Sequence, residues 1–372
     1  MIKLNSKKQI FIAVNSLAMG GIQKSLLAFL DEIKEYADVD LLVWNDYFEL
    51  TVPKYVNILR IPRVKSVRSV LNNGGLRNKD FWMSIAGQFY IKGWHAMPKL
   101  KKEYDIAIDY SHVSNIKYFV IDNVTARRKY AFFHNGEYSF DQETKRLDAE
   151  YYPKYDRVFA VSKFAQSLLK KTFSGTFQVD VFPNFIPINK IIKLGSEKCT
   201  EMDNYQGLKI LSVGRLSEEK NPHNILQVCD ELRRLGVEFR YYIVGDGVLR
   251  QDLELSVKKM NLVENVVFTG LQNNPYKYMK NCDLFIQLSK YEADPITIKE
   301  VTIFNKPMVL SDIPAFAEIA SQYRGIKLME LDASKIAKFV IHNDIGCNFE
   351  CDYFTHLNDV AKNALCSILD FE

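Results

Sequence analysis

The chain has 372 residues, of which 47% are apolar and 25% are charged. This size and balance are typical of a folded protein with two α/β domains and exclude a disordered chain. The formal net charge is +4, and no recognised nucleic-acid-binding motif occurs, so we expect no nucleic-acid partner. The apolar runs are only of strand length and the first residues lack a secretory signal, so we expect a cytoplasmic protein without a membrane-spanning helix.

Strand-like and helix-like segments alternate along the first half. A β-branched run at residues 9–16 leads through paired glycines into an amphipathic stretch at residues 22–36, which predicts a strand followed by a helix. Further strands are predicted at residues 39–44, 56–61, 105–110, 129–134 and 157–161. Alternation at this pitch predicts a parallel sheet with right-handed crossovers.

The alternation breaks at Pro183–Pro187 and at the polar residues 195–206, and then it starts again. Strands are predicted at residues 208–213, 239–244, 266–269, 284–288 and 307–310, and helices at 222–235, 249–260 and 354–369. We therefore predict an N-terminal domain at residues 1–190, a C-terminal domain at 205–352 and a terminal helix at 353–372 that packs back toward the first domain.

Ligands of open parallel sheets bind beyond the carboxyl ends of the strands, which directs attention to the loops that follow strands. The first of these loops contains Gly20-Gly21, where backbone amides can approach an anion at the start of a helix. Paired glycines also close ordinary tight turns. The three spaced glycines of a dinucleotide-binding fingerprint are missing, which disfavours a nicotinamide enzyme.

The second loop carries Arg215 and Lys220 between Gly214 and Pro222. Two cations on one loop above a sheet edge are suited to a diphosphate. Alternatively, the adjacent Glu218 and Glu219 neutralise both cations.

The third loop follows the strand at residues 284–288. Pro295 is suited to the first position of a helix, and the amides of Ile296 and Thr297 would then be able to receive phosphate or sugar oxygens. Glu292 in the loop and Glu300 in the helix are spaced to reach different parts of one extended ligand.

In their order and spacing these motifs resemble the retaining glycosyltransferases of the GT-B fold, family 4 (group 1). The resemblance covers nearly the whole second domain and a few positions of the first. Its motifs in the second domain are Gly214-Arg215 with Lys220, Val244-Gly245-Asp246-Gly247, Phe268-Thr269-Gly270, Glu292 with Glu300, and Lys306-Pro307-Met308-Val309. The looser matches in the first domain are Gly20-Gly21, His134, Val161-Ser162-Lys163 and Pro183-Asn184.

The resemblance implies an α/β protein with two Rossmann-like, doubly wound domains that face each other across a deep cleft. It implies that Arg215 and Lys220 hold the donor diphosphate and that Glu292 and His134 approach the transferred sugar; these four are the candidate catalytic residues. Glu300 is implied to bind the ribose. The other implied donor contacts are Gly20, Gly21, Gly214, Gly270, Leu271, Asp294, Ile296 and Thr297. No metal or cofactor is implied beyond the nucleotide sugar.

Two positions beside Glu292 depart from the family pattern. Ala293 and Asp294 stand where a glycine and an apolar residue are usual, and Asn305 replaces a usual glycine. Asp294 is expected either to change donor choice, by accepting hydrogen bonds from sugar hydroxyls, or to mark lost activity. The altered pair supports the alternative of a non-catalytic scaffold for an active transferase. A sugar-nucleotide epimerase of related fold is the second alternative to a transferase.

Residues 54–102 are strongly basic and contain several aromatic side chains, including Trp82 and Trp94. This composition suits an anionic membrane surface; alternatively, the cations are solvated and the aromatic residues belong to the core. We expect transfer of a hexose-type sugar from a UDP-linked donor to a glycan or polyprenyl-linked acceptor at the inner membrane face, in the assembly of a surface polysaccharide such as a capsule.

Six cysteines occur in the second half of the chain and are expected to be reduced thiols. His342, Cys347, Cys351 and His356 could together supply zinc ligands, but their spacings are looser than those of ordinary zinc modules, which favours free thiols.

Overall fold

The computed structural model describes residues 7–60, 93–111, 115–342 and 352–369, and the chain divides into two compact units. The first unit comprises Met1–His134, Tyr138–Pro183 and Lys362–Glu372, and the second comprises Asn135–Glu137 and Asn184–Ala361.

The first unit is built on a parallel sheet of seven described strands in the order β3-β2-β1-β4-β5-β6-β7. At its centre, Ile10 of β1 pairs with Val39 of β2 and with Ile106 of β4. The second half of β1 is fully buried and apolar, as expected for a strand covered on both faces. The strands are β1 (Lys8–Val14), β2 (Ala37–Val43), β3 (Val56–Leu59), β4 (Glu103–Asp109), β5 (Thr125–Phe133), β6 (Arg157–Ala160) and β7 (Val179–Val181).

Helices between these strands cover the sheet. Helix α1 (Gly21–Ile33) buries Leu26, Phe29, Leu30 and Ile33, which follow the three- and four-residue spacing of one helix face. The next helices are α2 (Ile116–Asn123), α3 (Gln142–Tyr151) and α4 (Lys163–Thr172). Side-chain caps fix where α3 and α4 begin, because Asp141 accepts a hydrogen bond from the amide of Thr144 and Ser162 accepts one from that of Ala165.

The second unit has a parallel sheet of six described strands in the order β10-β9-β8-β11-β12-β13. The strands are β8 (Leu208–Val213), β9 (Phe239–Val244), β10 (Val266–Gly270), β11 (Leu284–Gln287), β12 (Met308–Ser311) and β13 (Ile326–Met329). The helices are α5 (Ile188–Gly195), α6 (Thr200–Asp203), α7 (Pro222–Arg234), α8 (Arg250–Lys259), α9 (Tyr276–Asn281), α10 (Ile296–Thr302), α11 (Pro314–Ala320) and α12 (Ala333–His342). The last helix of the chain, α13, spans Asp352–Leu369.

The predicted strands of both halves are present, and β8 and β9 have the predicted bounds. Two short strands were missed. β7 has three residues, too few for a periodic pattern, and β13 is only half buried, so neither gives a clear apolar run. The prediction that Pro295 is the first helical residue is wrong by one position, because α10 begins at Ile296 and Pro295 is its N-cap.

Each sheet has one point at which the strand order reverses. In the first unit it lies between β1 and β4, and in the second it lies between β8 and β11. Loops on either side of such a point diverge and leave a crevice at the carboxyl edge of the sheet, which is where ligands of doubly wound folds bind. The loops after β1 in the first unit, and after β8 and β11 in the second, lie at these points and carry most of the predicted site residues; His134 follows β5, and Gly270 and Leu271 lie at the end of β10.

Candidate functional site

The loop after β8 lies directly against the loop after β9. Gly245 has a φ of +140°, and a Cβ there would lie 1.9 Å from the backbone oxygen of Gly214. The amide of Leu216 donates to the oxygen of Asp246 at 3.0 Å. Only glycine can allow this backbone approach at position 245, so Gly214 and Gly245 shape the loop that carries Arg215 and Lys220.

Arg215 and Lys220 have different surroundings. The Arg215 guanidinium is 67% exposed and lies 3.1 Å from Glu219 of its own loop. Lys220 ends a 3-10 turn at Glu218–Lys220, and its Nζ lies 2.5 Å from Oε1 of Glu292 in the loop after β11. The alternative that Glu218 and Glu219 neutralise both cations therefore applies to Arg215 only, and Lys220 joins the two loops of the switch point.

Glu292 ends a chain of buried and partly buried hydrogen bonds that the sequence did not reveal. Gln287 Nε2 donates to Ser289 Oγ at 2.9 Å, and Ser289 Oγ donates to Glu292 Oε1 at 2.8 Å. Ser311 Oγ donates to the backbone oxygen of Ser289 at 2.6 Å. Glu292 is thus oriented by Lys220 and by a serine that is itself fixed. The available signal was two polar residues, Gln287 and Ser289, at the end of an otherwise apolar strand.

The backbone next to Glu292 is also closely packed. A Cβ at Gly136, a residue of the second unit, would lie 2.0 Å from the backbone oxygen of Glu292. No side chain fits at that position, so Gly136 allows direct backbone contact with the loop after β11.

Asp294 is enclosed within the protein. Its side chain is 3% exposed and forms an ion pair with Lys299 of α10, whose side chain is 5% exposed. Asn184 Nδ2 donates to the other carboxylate oxygen at 2.6 Å. Both oxygens of Asp294 therefore have partners inside the second unit.

Glu300 is buried on α10, and Tyr276 donates a hydrogen bond to its Oε1 at 2.9 Å. Burial and the neighbouring carboxylate raise the pKa of Tyr276 well above its usual value, so the phenol stays protonated and donates. Ile296 and Thr297 are the first two residues of α10, the positions at which amides precede the intrahelical hydrogen bonds.

Gly270 is the last residue of β10, and Leu271 follows it at the same edge. Gly270 has a φ of +71°, and its backbone oxygen accepts from the amide of Gly245 at 2.9 Å. Leu271 is 51% exposed, which is high for a large apolar residue. An exposed apolar side chain at this edge is compatible with contact to a planar base.

The first unit places the paired glycines at the start of α1, with Gly20 as the N-cap and Gly21 as the first helical residue. Gln23 Nε2 donates back to the oxygen of Ser16 at 3.1 Å and closes this turn. His134 follows β5 and lies beside Tyr110, with the ring centroids 5.1 Å apart. Burial lowers the pKa of His134 to about 3, so its imidazole is neutral at ordinary pH.

The basic stretch can be assessed only in part, because residues 61–92 lie outside the described part of the chain. Trp94 is 1% exposed and its indole donates to Asp122 at 2.7 Å, so this side chain does not lie at a surface. Its indole packs in the core, as the alternative required. Lys102 is paired with Asp40 at 2.9 Å. No helix in the described ranges has the length and hydropathy needed to span a membrane.

The cysteine prediction is also tested in part. Cys199, Cys229, Cys282 and Cys366 are free thiols, and the first three are buried. Cys347 and Cys351 fall outside the described residues. His342 Nδ1 lies 2.7 Å from the backbone oxygen of Lys338. The described residues contain no cluster of three or more histidine, cysteine or acidic side chains arranged for a metal ion.

Residues 203–340 match the family model described as "Glycosyl transferases group 1". The chain is 34% identical over 143 residues to the N-acetylgalactosamine-N,N'-diacetylbacillosaminyl-diphospho-undecaprenol 4-alpha-N-acetylgalactosaminyltransferase of Campylobacter jejuni, covering 38% of this chain and 37% of that enzyme. It is 26% identical over 238 residues to an Escherichia coli UDP-Gal:alpha-D-GlcNAc-diphosphoundecaprenol alpha-1,3-galactosyltransferase, covering 58% and 59%. The chain spans less than half the length of the first curated relatives that it matches.

The fold resembles that of HepE from Anabaena, whose structure was solved in complex with UDP and glucose. The TM-score is 0.69 at 15% identity, over 98% of this chain and 100% of HepE. An Escherichia coli structure described as trehalose-6-phosphate bound with UDP-2-fluoro glucose gives a TM-score of 0.71 at 12% identity, over 98% and 99%. These likenesses concern the fold, and they confirm the predicted GT-B fold with two Rossmann-like domains.

Proposed function

We propose that this chain, whose residues 203–340 match the group 1 glycosyltransferase model, transfers a hexose-type sugar from a UDP-linked donor to a hydroxyl of a glycan or lipid-linked acceptor, with retention of the anomeric configuration. The observation that carries the proposal is the convergence of Lys220 and Glu292 at the β8/β11 switch point. A cation from one loop and a carboxylate from the other meet where a diphosphate-linked sugar has to lie in this fold.

In the proposed complex, Arg215 and Lys220 bind the diphosphate. The ammonium of Lys220 has three donors, so it can keep Glu292 and still contact a phosphate oxygen. Arg215 is exposed, and among the described residues its ion pair is with Glu219 of its own loop, which leaves its planar guanidinium able to reorient toward phosphate. Both cations stabilise the charge that grows on the leaving nucleotide as the glycosidic bond breaks.

The bond from the sugar C1 to the β-phosphate oxygen breaks, and its electron pair goes to the departing UDP. The acceptor oxygen forms the new bond on the same face of the sugar. The acceptor proton passes to the departing phosphate oxygen, so no enzyme nucleophile is required. Two carboxylates that flank the reacting bond are the pattern of a covalent double displacement. In this proposal Glu292 contacts the sugar and Glu300 contacts the ribose, so we assign no enzyme nucleophile. In this proposal Arg215 and Lys220 stabilise the negative charge on the leaving diphosphate, and no metal ion is required.

The remaining residues bind the ends of the donor. Glu300, held by Tyr276, accepts hydrogen bonds from the ribose hydroxyls, and Gly270 and Leu271 contact the base. Glu292 and the amides of Ile296 and Thr297 contact the sugar and phosphate. His134 approaches the sugar as a neutral imidazole, and Gly20 and Gly21 complete the donor contacts.

The acceptor is proposed by similarity. The Campylobacter jejuni and Escherichia coli relatives are both named for diphospho-undecaprenol substrates. A polyprenyl-diphosphate glycan acceptor at the inner membrane face, used in the assembly of a surface polysaccharide, is the corresponding proposal for this chain. The basic residues within 54–102 would support it by attraction to anionic lipid.

The test is thermal unfolding and calorimetry of the purified protein with UDP-, GDP-, ADP- and CDP-sugars, repeated with Glu300→Ala. We expect one nucleotide, UDP, to raise the Tm and the variant to lose the effect. Glu330→Ala, which removes an exposed glutamate paired with Lys335, is the matched control and should bind as the wild type does. Absence of a shift with every nucleotide would refute the donor assignment.

Turnover separates the remaining alternatives. Release of UDP that depends on an added polyprenyl-diphosphate glycan supports the transferase. Binding without turnover would indicate the non-catalytic scaffold, and conversion of the nucleotide sugar without any acceptor would indicate the epimerase.

A further inference from the structure

A buried ion pair is formed by two residues that lie, in the sequence, between the two glutamates proposed to bind the donor. Asp294 follows Glu292 by two residues and Lys299 directly precedes Glu300. The Asp294 and Lys299 side chains are only 3% and 5% exposed. This pair thus joins the loop after β11 to helix α10.

Asn184 is the third member of the cluster. Its Nδ2 donates to Oδ2 of Asp294 at 2.6 Å, while Lys299 pairs with Oδ1. The two oxygens of Asp294 therefore have two different partners, Lys299 in the helix that follows and Asn184, which is 110 residues away in the sequence.

Burying both charges is costly compared with an apolar pair of similar size. The best-attested use of buried polar or charged groups is to specify one packing arrangement of neighbouring segments among several. The arrangement that this cluster can specify is the geometry of the loop at residues 292–295 relative to α10.

We propose that Asn184, Asp294 and Lys299 form a positioning unit that sets the separation of the Glu292 and Glu300 carboxylates along the bound nucleotide sugar. Asp294 is then a positioning residue and not a contact to sugar hydroxyls. Its side chain is more enclosed than that of Glu292 or Lys220, which are 12% and 22% exposed. The inference rests on the proposed transferase function for its catalytic consequence, but not for its structural one.

The experiment uses Asp294→Asn, Lys299→Met and the double variant of the full chain. Amide hydrogen exchange of residues 289–297 is followed without ligand, and UDP release and donor KM are followed with the donor found in the screen. We expect exchange in this segment to accelerate at least tenfold in each variant, with β8 and β9 unchanged. We expect kcat to fall at least tenfold while donor KM changes less than threefold, because the nucleotide contacts are intact.

The double variant should fall no further in kcat than the worse single variant, since the partners act as one unit. The control is the double variant Glu330→Gln with Lys335→Met, which removes an exposed ion pair elsewhere in the second compact unit of the chain. It should change neither the amide exchange of residues 289–297 nor kcat. If a single variant does not fold, Asp294→Leu with Lys299→Leu removes both buried charges together and is measured in the same way.

Unchanged exchange at residues 289–297 would overturn the inference whether or not the protein is active. A lower Tm with unchanged kcat would mean that the cluster serves stability only, and would also overturn it. A rise in donor KM in Asp294→Asn that Lys299→Met does not share would assign Asp294 to sugar contact instead. If the wild type turns over no donor, the proposed function fails, and the exchange measurement still decides whether the cluster positions the loop.

Discussion

Lys220→Met tests the central feature of the proposed site. The wild-type ammonium lies 2.5 Å from Glu292, and the Lys220 side chain is 22% exposed. Methionine keeps most of the volume of the stem and removes the charge. A hydrogen bond to a charged group contributes about 1.5–3 kcal/mol, which corresponds to a loss of UDP affinity of about 10-fold to about 150-fold. We expect the lower part of this range, because Lys220 already has an anionic partner before the donor binds.

The assay is calorimetric titration of UDP into the wild type and the variant, with Tm as a check on folding. Lys290→Met is the matched control. Lys290 belongs to the same pair of loops, but it lies 3.3 Å from Glu218 with side chains that are 48% and 72% exposed. Exposed ion pairs of this kind contribute about 0–1 kcal/mol, so the UDP affinity of Lys290→Met should change by less than about fivefold. Equal losses in both variants, or unchanged affinity in Lys220→Met, would refute the assignment of Lys220 to the diphosphate.

Two further predictions concern the first unit. Asp148 is fully buried, where it pairs with Lys117 and accepts hydrogen bonds from Tyr118 and Tyr138. Asp148→Asn should lower the free energy of unfolding by about 3–5 kcal/mol, because it leaves the Lys117 charge buried without its partner. A loss below about 1 kcal/mol, measured by urea titration, would contradict this prediction. Burial lowers the pKa of His134 to about 3 from an ordinary 6.5, so the unfolded chain binds more protons between these values and stability falls as pH drops through that window. His134→Gln should lose less stability than the wild type between pH 7.5 and pH 5 in urea unfolding, and equal losses would show that His134 does not titrate in this way.

Much of the site was visible in the sequence because its residues are local to two loops. Arg215, Lys220, Glu292 and Glu300 were identified from their positions after strands and from motif spacing. Buried parallel strands give continuous apolar runs that mark where those loops begin. The short strands β7 and β13 lacked such runs and were missed.

The partners of these residues were not visible. Ser289 orients Glu292, and Asn184 holds Asp294 across 110 residues of sequence. Nothing in periodicity or spacing pairs residues so far apart. Composition alone likewise does not show whether an aromatic side chain is buried. The basic residues near Trp94 in the sequence suggested a membrane surface, whereas the fold buries its indole against Asp122.

The sequence by itself determined the order of strands and helices, the parallel sheets, and the loops that carry the charged residues, because these follow from local apolar patterning and turn chemistry. The tertiary structure decided which charge meets which. It paired Lys220 with Glu292 instead of with its neighbours Glu218 and Glu219, and it enclosed Asp294 between Lys299 and Asn184. Such pairings depend on the strand order and on backbone approaches such as that at Gly245, which bring distant loops together only when the sheet has formed.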